Sequence, residues 1–155
     1  MLFSLPGMTQ GKYAGTKKSL IGKTYADDRK IAGFSGYTYH EGSLLTNVDD
    51  GEVMTAAVYK RGTTCVVIFA IKEDTANQKF TIADVLEVKN VPSSRHIMTG
   101  TCQEGENEAV DIVALVLNET NKEFSKAIKA WRFNRDKRRL ESVNTKLVKC
   151  MNAVD

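Results

Sequence analysis

The stretch VMTAAVYKRGTTCVVIFAIKE, residues 53–73, carries the strongest structural signal in the chain. Its two halves, 53–60 and 63–73, are rich in β-branched and apolar residues, and the Arg61-Gly62 pair between them is typical of a tight turn. The pattern predicts a β-hairpin. The second half is apolar on both faces, which is typical of a strand at the centre of a sheet.

Strand-like segments continue on the C-terminal side of this hairpin. Residues 80–91, FTIADVLEVKNV, fit a helix about as well as a strand, and we expect a strand because NVPSS ends the segment quickly. HIMTGTC (96–102) is predicted to be extended. QEGENE (103–108) is predicted to be an acidic turn, and AVDIVALVLN (109–118) a further strand.

A helix is predicted near residue 121. Thr120 and Glu123 form a capping-box pattern, and Phe124 and Ile128 lie four residues apart, so they would share one helical face. We therefore expect a helix from Asn121 to about Ile128. KAWRFN (129–134) is predicted to be a strand, NRDK a turn and RRLESV the returning strand.

The fold class that these segments predict is α+β, mainly an antiparallel β-sheet with one or two short helices. No linker or repeat divides the chain, so residues 1–155 are expected to form a single domain. Seven of the eleven glycines fall within the first 42 residues, which favours turns and extended segments there. We expect about residues 1–12 to be poorly ordered.

Composition narrows the class of protein. With 155 residues, 42% of them hydrophobic and 26% charged, the chain is typical of one soluble globular domain. Its formal net charge of +3 is smaller than is usual for a protein held mainly to phosphate backbones. No apolar run approaches the roughly 18 residues that a membrane-spanning helix needs, so no membrane span is predicted.

The three cysteines divide into one apolar and two polar settings. Cys65 lies in TTCVVIFAI, where a small thiol fits a buried strand. Cys102 and Cys150 lie in polar, loop-like segments, and no cysteine or histidine spacing indicates zinc. We favour a Cys102–Cys150 disulfide with Cys65 free, which requires an oxidising compartment. The alternative is three reduced thiols in a cytosolic protein.

The order GTC, DIVALV, KAWRFN and a final VKC resembles a group of small, uncharacterised bacterial envelope proteins, over roughly the last 70 residues. These proteins share a glycine-x-cysteine strand, an ALV strand, an AWR segment and a closing cysteine. The resemblance implies a compact periplasmic or secreted domain in which Cys102 and Cys150 pair. It implies no activity, and the NRDKRR segment is more basic than the pattern of that group.

The N-terminus, MLFSLPGMTQGKYAG, is not predicted to be a signal peptide, because its apolar run is short and no basic residues precede it. A periplasmic or secreted location then requires a signal peptide that the printed sequence does not include.

The basic segment near residue 135 is the strongest polar feature. Trp131 and Phe133 share one strand face and are predicted to be buried, whereas Ala130 and Arg132 share the other face, with Arg132 towards water. The candidate partner-binding residues are Arg132, Arg135, Lys137, Arg138 and Arg139. We favour a solvated hairpin tip, ahead of a contact surface for an acidic protein, and a stacking surface for single-stranded nucleic acid comes third.

The only two histidines, His40 and His96, are the candidates for a latent catalytic site. His40 adjoins Glu41, but neither histidine has a nucleophile at a recognisable spacing. We therefore favour surface or half-buried histidines and assign no catalytic residue.

Other motifs are incomplete. Gly22-Lys23-Thr24 resembles the end of a phosphate-binding loop, but Lys17 stands where that loop needs a glycine. The acidic residues after Cys102 lack the spacing of a calcium loop. No metal and no cofactor is predicted.

These observations favour a non-catalytic envelope or secreted binding protein, of the inhibitor or immunity type, that acts on a partner protein such as a toxin or a hydrolase. One alternative is a small hydrolase or ligand-binding carrier with site residues dispersed along the chain. Another is a protein that binds nucleic acid or another polyanion through the basic hairpin. The sequence does not specify the oligomeric state.

Overall fold

The computed structural model describes residues 17–45, 53–72, 79–119 and 121–152, which form two antiparallel β-sheets. The first sheet has the strand order β1-β5-β4-β3-β2. Its strands are β1 (Thr24–Tyr25), β2 (Thr38–Leu44), β3 (Val53–Arg61), β4 (Thr64–Lys72) and β5 (Phe80–Val88).

The second sheet has the order β6-β9-β10-β12-β7-β8, and β11 also pairs with β10. Its strands are β6 (Arg95–Thr99), β7 (Cys102–Glu104), β8 (Asn107–Glu108), β9 (Ile112–Leu117), β10 (Phe124–Asn134), β11 (Arg139–Ser142) and β12 (Val148–Met151). Helical structure among the described residues is limited to α1 (Lys17–Leu20) and a 3-10 turn (Asp28–Lys30). The prediction of a mainly antiparallel β-sheet is confirmed, whereas the prediction of an α+β mixture is wrong.

The hairpin predicted at residues 53–73 is present as β3 and β4. The two strands pair from Val53 with Lys72 to Arg61 with Thr64. β4 lies between β3 and β5, and its residues 65–71 are all buried. A strand in this position is covered on both faces, which explains why its sequence does not alternate between apolar and polar residues.

The two faces of β4 belong to different hydrophobic clusters. Cys65, Val67 and Phe69 pack against the second sheet, where the ring of Phe133 stacks on that of Phe69 at 5.7 Å. The opposite face of the first sheet is covered by the segment that contains α1 and β1. The buried residues of that covering segment are Leu20, Tyr25, Ile31 and Phe34.

This N-terminal segment is fixed by hydrogen bonds from the sheet below it. The Tyr59 hydroxyl donates to the carbonyl oxygen of Asp28 and accepts from the backbone N–H of Ile31 at 3.2 Å. Residues 17–45 are therefore part of the folded core and supply two strands of the first sheet. The predicted disorder of residues 1–12 lies outside the described residues.

The helix predicted from Asn121 to about Ile128 is wrong, because β10 occupies most of that range. The backbone of Phe124, Ser125 and Lys126 pairs with β12, and Ala127 and residues 129–132 pair with β9. Partners on both sides satisfy the strand's backbone groups, and this tertiary pairing outweighs the local helical pattern. Thr120, the expected cap, lies outside the described residues.

The second sheet curls so that β7 and β12 cover the far side of β9 and β10. Ala130, on the face opposite the aromatics, is 3% exposed in a cluster with Cys102 and Cys150. Arg132 shares that side and forms ion pairs rather than facing open water. The prediction that Trp131 and Phe133 face the core is confirmed, with Phe133 buried and Trp131 packed at its margin.

The predicted Cys102–Cys150 disulfide is present. The two residues lie opposite each other on β7 and β12, and both are buried. Cys65 is a free, buried cysteine in β4, as predicted. Among the described residues, no helix has the length and apolar character needed to span a membrane.

Candidate functional site

The first candidate surface, the basic hairpin of β10 and β11, is partly neutralised by acidic side chains. Arg132 lies 2.9 Å from Glu104 and 3.3 Å from Asp111, and the Glu104 hydrogen bond is the main reason that the pKa of Arg132 is raised. Arg132 is therefore paired with Glu104 of the predicted acidic turn and with Asp111, which precedes β9.

The tip itself carries a second acidic partner. Glu141 lies 3.2 Å from Arg139 and 3.8 Å from Lys137. Hydrogen bonds from Asn134 and Arg139 help to lower the pKa of Glu141, so its carboxylate stays ionised. Arg135 and Arg138 lie at the turn between the strands, where Arg138 has a φ of 53°. The hairpin that carries the five basic candidates thus has a mixed charge, because Glu104, Asp111 and Glu141 pair with three of them.

The aromatic side chains of this hairpin are not positioned beside the tip cations. Phe133 is buried, and Trp131 lines a separate cavity of about 540 Å³ with residues 142–145. Single-stranded nucleic acid is held by exposed aromatic faces that lie along a basic groove. The described part of the hairpin does not have that arrangement.

A different polar group forms where the edge strands of the two sheets meet. β2 is the last strand of the first sheet and β6 is the first strand of the second. The Ser43 hydroxyl donates to Thr99 Oγ1 at 2.6 Å, and the Thr99 hydroxyl donates to Glu41 Oε2 at 3.1 Å. This chain of hydrogen bonds joins the two sheets at residues distant in sequence.

Backbone features on both strands bring these side chains together. On β2, the register shifts between Tyr39 and Glu41, so His40 is the extra residue of a β-bulge. On the other side, Gly100 has a φ of +77°, and a Cβ added there would lie 3.0 Å from Ser43 Cβ. Bulges turn side chains out of the regular pattern of a sheet, and glycine permits this close approach.

Burial controls the protonation of the group. Desolvation raises the pKa of Glu41, and the hydrogen bond from Thr99 partly offsets that effect. Desolvation also lowers the pKa values of His40 and His96, with a further contribution from the Lys60 charge to both. His40 Nε2 lies 3.8 Å from Glu41 Oε1, and at neutral pH it is an uncharged neighbour.

His96 lies on β6, three residues before Thr99. Its Nδ1 atom is buried and has no hydrogen-bond partner in the described part of the protein. A hydrogen bond with Asn118 raises its pKa, but by less than burial lowers it. Asn118 is itself fixed by donating from Nδ2 to the Ser93 carbonyl oxygen at 2.6 Å.

Glu41 and His96 open onto a cavity of about 530 Å³. Its lining residues are Glu41, His96, Met98, Thr99, Thr101, Asn118, Glu119, Met151 and Asn152. Asn152 fixes one wall, because its Nδ2 lies 2.9 Å from the carbonyl oxygens of Glu119 and Lys122. The size is within the range of small-molecule sites, and the lining combines apolar thioethers with polar groups, as such sites do. We call this cavity the interstrand pocket.

The sequence indicated only part of this pocket. Of its lining, the candidate His96 and Glu41, the neighbour of the candidate His40, were noted, whereas Thr99, Asn118 and Asn152 were not. In the structure, Asn118 and Asn152 each directly follow a strand, and the only related sequence signal is that Asn118 ends the predicted strand 109–118. Across residues 17–45, 53–72, 79–119 and 121–152, no group of three histidine, cysteine or acidic residues is placed to hold a metal ion.

Comparisons of the chain with protein families, with curated proteins and with solved structures find no match. The resemblance to small bacterial envelope proteins therefore stays a prediction.

Proposed function

We propose that the protein is a non-catalytic binding protein of the cell envelope or the extracellular space, and that the interstrand pocket is its ligand site. The observation that carries the proposal is the convergence of Glu41, His96, Thr99 and Asn118 on one cavity of about 530 Å³. Glu41 on edge strand β2, His96 on edge strand β6 and Asn118 directly after β9 would orient a ligand, and the buried Thr99 hydroxyl positions Glu41. Met98 and Met151 would contact the apolar part of the ligand.

The arrangement of hydroxyl groups favours binding over catalysis. Thr99, whose hydroxyl donates to Glu41, is only 3% exposed, so a substrate has little access to its oxygen. The Ser43 hydroxyl donates to Thr99 rather than to a histidine base. Nucleophilic catalysis needs an accessible nucleophile hydrogen-bonded to its base, and neither hydroxyl meets both conditions.

The disulfide supports the proposed compartment. Cys102 and Cys150 form a buried cross-strand pair, and disulfides of this kind persist in oxidising compartments. The resemblance of GTC, DIVALV, KAWRFN and VKC to bacterial envelope proteins points to the same location. Thiol labelling of protein exported to the periplasm tests this part of the proposal. Cys102 and Cys150 should resist labelling until a reducing agent is added.

Ligand screening by amide NMR tests the pocket. We expect a panel of small cationic, neutral and anionic compounds to contain binders that shift the amide signals of Thr99, Thr101 and Asn118. Met151→Trp should block those shifts, because Met151 lines the pocket and is 44% exposed. Leu147→Trp is the matched control, since Leu147 is 61% exposed and does not line the pocket. A panel that shifts none of the three signals would overturn the proposal.

A second candidate function is inhibition of a partner protein, of the immunity type, through the basic hairpin. The observation that favours it is the anchoring of the hairpin: the backbone N–H of Leu140 donates to Asp84 Oδ2 of the first sheet at 2.7 Å. An anchored tip loses less conformational entropy when it docks.

Charge reversal tests this second candidate. Arg138→Glu combined with Arg139→Glu should abolish co-purification of an acidic partner. The matched control, Lys126→Glu combined with Lys129→Glu, reverses two exposed lysines outside the tip and should leave the complex intact. Retention of the partner by the tip variant would exclude the hairpin as the contact surface.

A further inference from the structure

The interstrand pocket has an electrostatic character that narrows its ligand. Its lining includes the carboxyl groups of Glu41 and Glu119 and, among the described residues, no lysine or arginine. The carboxylate of Glu119 already forms an ion pair, because Lys122 Nζ lies 2.7 Å from it. Glu41 is therefore the acidic group of this lining that retains the capacity to bind a charged ligand.

The contacts of Glu41 leave one of its oxygens available. Oε2 accepts the hydrogen bond from Thr99, whereas the nearest basic atom to Oε1 in the described structure is His40 Nε2, at 3.8 Å. Burial lowers the pKa of His40, so this histidine carries little positive charge at neutral pH. The Lys60 charge acts on His40 and His96, and no ion pair joins it to Glu41 in the described residues.

The ionised carboxylate of Glu41 is energetically unfavourable in this position unless a cation binds to it. Partial burial removes water from Glu41, and a single hydroxyl donor replaces only part of that hydration. A ligand ammonium group would supply both the missing charge and up to three N–H donors. Charge-assisted hydrogen bonds of this kind are about twice as strong as those between neutral groups.

The remaining walls suit the rest of such a ligand. Met98 and Met151 place flexible, polarisable side chains along the pocket, and they can pack against a short hydrocarbon chain. Among the described lining residues, an anionic ligand would meet two carboxyl groups and no lysine or arginine. A bare metal ion would lack a set of three histidine, cysteine or acidic ligands within the described residues.

We infer that the interstrand pocket binds a primary ammonium group carried on a short hydrocarbon chain, with Glu41 as the residue that binds the charge. The inference rests on the proposed function, because it names the ligand class of the same pocket. The ammonium group can belong to a free organic amine or to a lysine side chain of a partner protein, and both present the same chemistry to Glu41.

Three probes of matched length test the charge. We expect pentylamine to shift the amide signals of Thr99 and Thr101 and to bind at least about tenfold more tightly than 1-pentanol, the difference expected for one charge-assisted hydrogen bond. Pentanoate should bind more weakly than either. N-acetyl-lysine-N-methylamide identifies the source: tighter binding than pentylamine assigns a lysine side chain, and weaker binding assigns a free amine.

Variants and pH test the role of Glu41. Glu41→Gln keeps an acceptor for Thr99 and should reduce pentylamine affinity at least about tenfold without changing that of 1-pentanol. The control Glu108→Gln, at an exposed acidic residue of β8, should leave both affinities unchanged. In the unmodified protein, pentylamine affinity should fall as the pH is lowered through the raised pKa of Glu41, because the amine stays protonated throughout.

The possible results distinguish failure of the inferred ligand class from failure of the proposed ligand site. If 1-pentanol binds the pocket as tightly as pentylamine, or if pentylamine affinity does not change between pH 7 and pH 4, the inference fails and the pocket remains a ligand site. If none of the probes, cationic, neutral or anionic, shifts a pocket amide at millimolar concentration, both proposals fail.

Discussion

At the scale of single residues, Glu41 shows how a polar side chain can be placed at a cost to stability. Its side chain is 32% exposed, it has one hydroxyl donor, and its carboxylate has no lysine or arginine partner in the described structure. Residues that stabilise a fold seldom have these properties, since a partly buried charge is unfavourable without a partner. Perturbed carboxyl groups in cavities are common at binding sites for the same physical reason.

Glu41→Gln should make the protein more stable at neutral pH. The folded state raises the pKa of Glu41 above its ordinary value of 4.5. The folded state therefore binds more protons than the unfolded state between those two values, and stability is lost as the pH rises through the raised pKa. Denaturant unfolding at pH 4 and pH 7 should show the variant gaining stability over the unmodified protein at pH 7 only.

Glu108→Gln is the matched control for this measurement, because Glu108 is exposed on β8. Its stability relative to the unmodified protein should be the same at the two pH values. If Glu41→Gln were less stable than the unmodified protein at pH 7, Glu41 would be a stabilising residue and our account of its burial would be wrong.

At the scale of secondary-structure elements, β-bulges determine what the sequence could predict. In β5, the register shift places Ile82 and Val85 on one face, although they are three residues apart. In β10, a similar shift places Ala127 and Ala130 on one face. A spacing of three residues is typical of a helix, so a bulged strand and a short helix have similar patterns.

The two ambiguous segments had different outcomes for a physical reason. In the segment 80–91, residues 80–88 form the predicted strand, and NVPSS, which ends the segment, was the local signal for it. Residues 121–128 were predicted wrongly because the pairing of β10 with β9 and β12 is a long-range property that the local sequence does not contain. The hairpin of β3 and β4 was predictable because its two strands and its turn are adjacent in sequence.

The hairpin of β10 and β11 should depend on one buried residue of the first sheet. Asp84 is 3% exposed, and its oxygens accept hydrogen bonds from the backbone N–H groups of Val85 at 2.8 Å and Leu140 at 2.7 Å. Asp84→Ala leaves these donors without that acceptor, which should lower the free energy of unfolding by about 1–3 kcal/mol. Hydrogen exchange at the Leu140 amide should become faster.

Asp84→Asn is the matched variant, because its side-chain oxygen can keep one of the two hydrogen bonds. We expect it to be intermediate in stability between the unmodified protein and Asp84→Ala. Unchanged protection of the Leu140 amide in Asp84→Ala would show that the hairpin is held by its other contacts.

At the scale of the whole molecule, the candidate site is a product of how the two sheets meet. Ser43 and Thr99 are separated by 56 positions in sequence, and only the contact between β2 and β6 brings their hydroxyls to 2.6 Å. Sequence patterns describe local periodicity, so they identified His40 and His96 singly but not the pocket between them. The contact between β2 and β6 also places the pocket at an edge of both sheets, where backbone hydrogen bonding within each sheet ends.

The disulfide should stabilise the whole molecule through its C-terminal strand. β12 links β10 to β7, with three paired residues on each side, and the Cys102–Cys150 bond reinforces that short link. The bond joins residues separated by 48 positions, for which the chain-entropy estimate is about 4 kcal/mol. Cys102→Ser combined with Cys150→Ser should lower the free energy of unfolding by about 2–4 kcal/mol, measured by denaturant unfolding.

Cys65 is the control for correct folding of the variant, since it is buried in β4 and should resist alkylation in both folded proteins. Equal unfolding midpoints for the unmodified protein with and without a reducing agent would contradict this role of the disulfide and remove the main support for an oxidising compartment.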